Sequence, residues 1–174
     1  MSTKRILIYE ASEILEPSVS SRAEFQRWFP AIKDIIPPEK SKKYAVYSLF
    51  HLLGIFKNKK YRSYYSSVKN VLFCSFLVVP AYYRWSFMPK KSVQFTYVIT
   101  HEEYRGKGIA WQGIYTAFID LQNEGIDSFW YVTDSENLAS QRLAEKMGFK
   151  LVSTAKKRVK MFGLIKILQL DEAK

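Results

Sequence analysis

Tyr97-Val98-Ile99-Thr100-His101-Glu102-Glu103-Tyr104-Arg105-Gly106-Lys107-Gly108-Ile109-Ala110 is the stretch on which the fold turns. It opens as an apolar, β-branched run of the kind that forms strands. It closes where Ala110, Ile114, Ala117, Phe118 and Leu121 begin to recur at helical spacing. Between the two, Gly106 and Gly108 let successive backbone N–H groups converge, and a helix N-terminus adds roughly half a positive charge. A turn of this kind is suited to holding phosphates. It is not a Walker loop, because no Gly-Lys-Ser/Thr follows, and no third dinucleotide-fold glycine stands at Ile109, Ala110 or Trp111.

Outward from this turn, residues 92–100 form the strand before it, and a helical stripe runs on to Gly125. Residues 128–133 read as a strand, Leu143 and Met147 mark a helix stopped by Gly148, and residues 149–154 and 161–170 read as two final strands. Towards the N-terminus, residues 4–9 predict a first strand. Ser21-Arg22-Ala23-Glu24 has capping-box spacing, which predicts a two-turn helix carrying Phe25, Trp28 and Phe29 up to Pro30. Val46, Leu49, Phe50 and Leu53 predict a second helix from about 39 to 54. Residues 61–68 and 71–79, joined by Lys69-Asn70, predict an antiparallel hairpin, and Pro80 and Pro89 bracket an aromatic loop with Tyr82, Tyr83, Trp85 and Phe87. The order is strand, two helices, three strands, helix, strand, helix, two strands. It implies an α/β domain with a mixed sheet, whose antiparallel N-terminal half joins a right-handed strand-helix-strand unit.

The 174 residues suit a single domain spanning 1–174, and hydrophobic residues at 48% with aromatics at 16% supply a packed core. The longest uncharged stretches, 44–56 and 70–83, fall short of the ~20 apolar residues that span a bilayer. Ile6, Leu7 and Ile8 are too short a run for the core of a secretion signal, so the chain is expected in the cytoplasm. The single cysteine, Cys74, rules out an intrachain disulfide and a multi-thiolate metal site, and it reads as core filler; no metal is expected. Net charge is +11, and all of the excess lies between Glu39 and Glu102, where there is no acidic residue. That window holds Lys40, Lys42, Lys43, Lys57, Lys59, Lys60, Arg62, Lys69, Arg84, Lys90 and Lys91. Such a segment is either a solvated face or an attractor of anions: a substrate, a membrane surface or nucleic acid.

The turn resembles the acetyl-CoA-binding motif of the GNAT (GCN5-related) N-acetyltransferases, Gln/Arg-x-x-Gly-x-Gly/Ala, here Arg105, Gly108 and Ala110. A second match follows in Asn137, Ser140, Leu143, Lys146 and the terminal Gly148-Phe149, at the family's spacing from Arg105. Together they cover about residues 92–152, a third of the chain. The resemblance implies a central twisted mixed sheet with helices on both faces, in which a splayed parallel strand pair holds coenzyme A. Residues 1–91 would form the acceptor side, 92–152 the acetyl-CoA core, and 153–174 the C-terminal strands. Val98, Ile99 and Thr100 would pair with the pantetheine arm as if with another strand. Backbone amides of Gly106, Lys107, Gly108, Ile109, Ala110 and Trp111 would hold the pyrophosphate, with Arg105 and Lys107 beside it. Asn137 would hydrogen-bond the cofactor arm, or serve as a plain helix N-cap.

The implied activity is direct transfer of an acetyl group from acetyl-CoA to a primary amine, which needs a neutral nucleophile, an oxyanion donor and a proton for the departing thiolate. Many relatives place a tyrosine acid seven residues after the motif Asn, where this chain has Ala144. The polar residue there is Ser140, as in the branch that acetylates ribosomal-protein N-termini, so Ser140 is either the candidate catalytic residue, donating to the sulfur, or an ordinary first-turn helix residue. No base is identifiable: Val132 is apolar, Glu102 and Glu103 lie at the phosphate turn, and His51 and His101 read as structural. The acid-free window coincides with the acceptor side and favours a small anionic amine. The region loosely resembles the GNAT branch that acts on nucleotide-linked amino sugars for surface polysaccharides, with the loop around Tyr82 stacking on a ring or plugging the sheet edge. A peptide α-amine is the second reading. A third is a non-catalytic module on the same fold that binds nucleic acid or a membrane surface, to which Lys156, Lys157, Arg158 and Lys160 would add. A monomer and a homodimer are both compatible with the sequence.

Overall fold

The structure is a computed structural model that describes residues 5–18, 23–39, 44–56, 58–68, 71–80, 87–160 and 165–170, with backbone alone for 68, 156–160 and 165–170. The chain runs β1 (Arg5–Ala11), β2 (Gln26–Trp28), α1 (Ala45–Leu52), β3 (Arg62–Val68), β4 (Val71–Pro80) and β5 (Ser92–Thr100). After a 3-10 turn at Glu102–Tyr104 come α2 (Ile109–Asn123), β6 (Ser128–Asp134), α3 (Leu138–Lys146), β7 (Lys150–Lys160) and β8 (Ile165–Leu170). The eight strands form one sheet in the order β2-β3-β4-β5-β6-β1-β7-β8. Only β5 and β6 run parallel; the other neighbours are antiparallel. The first strand therefore lies inside the sheet, between β6 and β7, and β1 uses both faces: Tyr9 and Ala11 pack on one side, Ile6 and Ile8 on the other.

The alternation along β4 and β6 sorts the core. Phe76, Val78, Phe129 and Tyr131 face α2 and α3, whose Ile114, Ala117, Phe118, Leu121, Ala144 and Met147 complete the main core. Leu77 and Val79 face α1 with Trp28, Tyr44, Phe56 and Tyr61. Helices thus cover both faces, as the mixed pattern implied. No helix among the described residues is long and apolar enough to cross a membrane.

Two N-terminal expectations are corrected. Where the capping box predicted a helix, residues 26–28 form β2, and Arg27 and Trp28 pair with Tyr64 and Ser63 of β3. Two turns ending at Pro30 cannot offset the cost of helix nucleation, whereas the edge of β3 offers ladder bonds and Trp28 a buried seat edge-on to Tyr61. Ser21 and Arg22 lie outside the described residues. The second helix begins at Ala45, not near 39, because the Glu39 carboxylate is drawn onto the sheet by Ser63 Oγ, 2.6 Å from Oε1. The strand expected at 149–154 extends to Lys160, since β7 has β1 on one side and β8 on the other.

Candidate active site

β5 and β6 pair from Ser92↔Ser128 to Phe95↔Tyr131, and there their ladder ends. Beyond that point β5 continues to Thr100 paired with β4, and β6 continues to Asp134 paired with β1. The divergence has a local cause. Tyr97 holds a positive φ of 53°, and the β4–β5 register shifts between Ser75 and Leu77, so a bulge bends β5 away from its parallel neighbour. The opening lies at the carboxyl ends of the parallel strands, where open α/β sheets bind ligands.

The phosphate turn stands at the same end. His101 N–H donates to the Phe73 carbonyl at 2.8 Å, and Tyr104 stacks on Phe73 with ring centroids 5.0 Å apart, fixing the turn to β4. Gly106 and Gly108 adopt φ of 75° and 74°, which a side chain would strain. Gly108 is the N-cap of α2 and supplies no side chain to cap it, and the first intrahelical bond runs from Gln112 N–H to the Gly108 carbonyl. The amides of Ile109, Ala110 and Trp111 are therefore left without helical acceptors. A diphosphate fits this cradle.

The remaining sequence-predicted residues fall as follows. Val98 turns into the main core, Ile99 is exposed, and Thr100 Oγ1 lies 3.6 Å from Cys74 Sγ. Arg105 Nε donates to the Thr100 carbonyl at 3.1 Å, and Lys107 Nζ sits 5.4 Å above the Tyr104 ring, leaving both cations at the rim of the turn. The Trp111 indole donates to the Leu15 carbonyl at 2.8 Å, so only its backbone faces the turn. Asn137 is the N-cap of α3: its Oδ1 accepts from Ser140 N–H at 3.1 Å.

Ser140 carries a partner that the sequence reading missed. Tyr131, the last β6 residue of the parallel ladder, donates its hydroxyl to Ser140 Oγ at 3.5 Å. Burial pushes the Tyr131 phenol up despite that hydrogen bond, and burial pushes the Cys74 thiol up to about 11, so both stay protonated at neutral pH. Ala144 is wholly buried in the main core, and a tyrosine has no room there. Tyr131 had no spacing signal, because its hydroxyl reaches α3 from a strand.

Five of the eleven cations of the basic window lie among the described residues. Lys60 Nζ and the Arg62 guanidinium both hold Glu124, at the C-cap of α2, with oxygens 2.7 Å away. Asn58 Nδ2 donates to the carbonyls of Lys90 and Ser92, which places residues 58–60, 90 and 91 at the start of β5. These charges occupy the end of the sheet opposite the opening and do not line it. Lys40, Lys42, Lys43, Lys57, Lys69 and Arg84 lie outside the described residues, as do Tyr82, Tyr83 and Trp85. Phe87 stands edge-on to Trp130 and Met88 is buried beside it, so that end of the aromatic loop covers the sheet. A cavity lined by Glu10, Glu13, Leu15, Gly148 and Lys150 also lies at the far end, where Ala11 pairs with Phe129. Among the described residues no cluster of His, Cys, Asp or Glu could hold a metal.

A second missed feature is a carboxylate on the α1 face. Besides the bond from Ser63 Oγ, Glu39 has the Ser75 hydroxyl beside it on β4. Burial raises the Glu39 pKa, with the two serine hydroxyls opposing. Tyr44 lies between Glu39 and Tyr97, its ring 4.6 Å from that of Tyr97, and its phenol is pushed up to about 12 by burial and those two neighbours.

No curated protein matches the chain. Among solved structures, one from Novosphingobium aromaticivorans, named as a GNAT-family acetyltransferase, shares 17% identity at a TM-score of 0.56, covering 88% of this chain and 62% of that one. A GCN5-related N-acetyltransferase from Sphaerobacter thermophilus shares 12% identity at a TM-score of 0.59, over 88% of this chain and 50% of that one. An IAA acetyltransferase from Bacillus cereus shares 18% identity at a TM-score of 0.50, over 75% and 79%. At such identities the likeness is one of fold. Residues 73–149, from within β4 to just past α3, match the family model of the acetyltransferase (GNAT) family.

Proposed function

We propose that this chain transfers an acetyl group from acetyl-CoA directly to a small primary amine. The observation that carries the reading is the coincidence, at one end of the sheet, of the opened β5–β6 ladder with the uncapped N-terminus of α2. Bound there, acetyl-CoA supplies an activated acyl group. The amides of residues 106–111 hold its diphosphate, Arg105 and Lys107 add positive charge at the rim, and the backbone of Val98, Ile99 and Thr100 pairs with the pantetheine arm. The Asn137 side-chain amide N–H, not used in capping, is left to donate to that arm. Ser140, with Tyr131 behind it, supplies a proton to the leaving thiolate.

For the acceptor we favour an amino sugar, including nucleotide-linked ones. The support is Tyr97, partly exposed where β5 bends at the opening, whose ring suits stacking on a sugar; Tyr44, Ser63 and Ser75 on the same face are buried. The described lysines lend an anionic acceptor no direct contact. The test is acetyl-CoA-dependent release of CoA thiol across nucleotide-linked amino sugars, glucosamine 6-phosphate, polyamines and peptides with free N-termini. Turnover confined to the sugars supports the reading, and turnover confined to peptides replaces the acceptor class. Absence of both turnover and thermal stabilisation by acetyl-CoA overturns it in favour of a binding module, whose affinity for DNA or anionic vesicles would fall steeply with salt.

A further inference from the structure

We propose that the outward face of α1, together with the turn at residues 31–34, seats the protein on an anionic lipid surface. This docking goes beyond acetyl transfer and does not rest on it.

Tyr44 to Phe56 carries no charged residue, and α1 lies within that span. Tyr47 and Phe50 turn inward onto Phe56 and the cluster around Tyr61. On an ordinary surface helix the opposite row is polar. Here it is Val46, Leu49 and Leu53, at i, i+3 and i+7, with Leu52 and Ile55 beside them, all exposed and Leu53 to 65%. α1 is therefore apolar all round, the composition of a helix covered on both sides.

The turn before α1 repeats the pattern. Ala31 and Asp34 exchange backbone hydrogen bonds of 2.9 and 3.0 Å, and the Trp28 indole N–H donates to Asp34 at 2.6 Å. Trp28 is buried in the same cluster as Tyr44 and Tyr61, so it braces the turn on the α1 face. The tip is Ile32, 88% exposed, with the exposed Lys33 next to it. Turn tips favour Gly, Pro, Asn, Asp and Ser, so an isoleucine held out by a braced turn points to an apolar partner.

Cations flank this apolar surface in sequence. Lys40, Lys42 and Lys43 precede the uncharged span, and Lys57, Lys59 and Lys60 follow it, with no acidic residue among them. The nearest acidic residues in sequence are engaged, Asp34 by Trp28 and Glu39 by Ser63 Oγ. An apolar row between basic flanks complements acyl chains and headgroup phosphates at once. The eight residues of α1 are too few to cross a bilayer, so the helix would lie in its interface. A second copy fits this face less well. It would bring the same lysines together, and five side chains about half exposed amount to a few hundred Å2, against about 800 Å2 per partner in a standard interface. A nucleic-acid backbone would match the lysines and leave Val46, Leu49 and Leu53 uncovered. Tyr44, the N-cap of α1, packs on Tyr97 at the opening, so a lipid surface under α1 lies next to the candidate active site.

Vesicle sedimentation tests the docking. Wild type should bind mixed phosphatidylcholine–phosphatidylglycerol vesicles at physiological ionic strength, and phosphatidylcholine alone about tenfold more weakly. Leu49→Ser with Leu53→Ser should weaken binding about tenfold and Ile32→Ser about threefold, and Lys33→Gln with Lys59→Gln about tenfold. All of these residues are exposed, so the fold should survive, which far-UV circular dichroism checks. Insertion has its own readout. Cys74 is buried and its thiol is pushed up to about 11, so a thiol-reactive fluorophore should label an introduced Leu53→Cys or Arg142→Cys selectively. On anionic vesicles the emission from position 53 should shift to shorter wavelength, and that from position 142, on α3 across the sheet, should not. Wild type that stays in the supernatant, or undiminished binding by Leu49→Ser with Leu53→Ser, overturns the proposal. So does an unshifted label at position 53, which would mean adsorption by charge alone. A dimer in light scattering that the same two substitutions dissociate would assign the face to a second copy and overturn it as well.

Discussion

Glu39 and Glu124 are attached to the same sheet and treated in opposite ways. At the closed end, Glu124 accepts two bonds from the buried Arg62 guanidinium and one from Lys60, and these hold its pKa down to about 2. On the α1 face, Glu39 accepts from Ser63 and lies beside Ser75, and burial still raises its pKa. The contrast separates two uses of the same side chain. Where every acceptor lone pair meets a donor, a carboxylate locks strands to a helix. Where burial outweighs its hydrogen bonds, a carboxylate is pushed towards its neutral form, at a cost in stability.

Breaking the closed end should have the largest effect. Glu124→Ala strands the Arg62 guanidinium, which is 3% exposed, and leaving a buried charge without its partner costs about 3 kcal/mol. Denaturant unfolding should show that loss. Because Glu124's folded pKa lies below its ordinary 4.5, its contribution is fully present above pH 4.5 and is lost as the pH falls towards 2. The wild-type acid transition should therefore flatten in the variant. An unchanged midpoint would mean that solvent already screens the pair.

The phosphate turn comes next. Gly108→Val asks a β-branched residue to hold φ near 74° at the N-cap of α2, which disfavours the amide arrangement by 1 kcal/mol or more. The acetyl-CoA KM should rise about tenfold, with kcat much less affected. A larger loss of folding stability than of acetyl-CoA affinity would assign the glycine to architecture rather than to binding.

Glu39→Gln should act on stability in the reverse sense to Glu124→Ala, raising it at neutral pH by about 1 kcal/mol. A carboxyl with a raised folded pKa is most stabilising when protonated, and its contribution is lost as the pH rises through that pKa. The gap between variant and wild type should therefore close on acidification. A variant less stable than wild type at pH 7 would place Glu39 with Glu124 among the structural carboxylates.

The two regions also differ in how far they could be read from sequence. The glycine turn was legible because its geometry is local: Gly106, Gly108 and the helical stripe from Ala110 are neighbours in sequence as well as in space. The boundaries of β5, read as 92–100, agree with the structure for the same reason. The setting of Glu39 was not legible, because it depends on Ser63 and Ser75, which reach it only when β3 and β4 pair. Tyr131 reaches Ser140 from a strand, a partnership that no spacing rule along the chain encodes. The helix predicted at 21–29 failed for a related reason. A capping box expresses a local preference, and the edge of β3 offered residues 26–28 ladder bonds that a two-turn helix could not match.

The smallest effect is expected where the charge count pointed most strongly. Eleven cations in an acid-free window suggested either a solvated face or an anion site, and charge in sequence becomes a field at a site only where the chain converges there. Lys59 and Lys90 lie at the start of β5, tied to the closed end by the Asn58 amide. The opening begins beyond Phe95, and with strands rising about 3.3 Å per residue the rungs from Ser92 to Phe95 alone put about 10 Å between the two. That is about one Debye length at 0.1 M salt, so exposed charges at that range are largely screened. Lys59→Gln with Lys90→Gln should therefore leave both the acceptor KM and the acetyl-CoA KM within twofold of wild type at 0.1 M salt, while Arg105→Gln raises the acetyl-CoA KM. A selective rise in the acceptor KM would show that the closed end does face the acceptor, and the division of labour between the two ends of the sheet would fail.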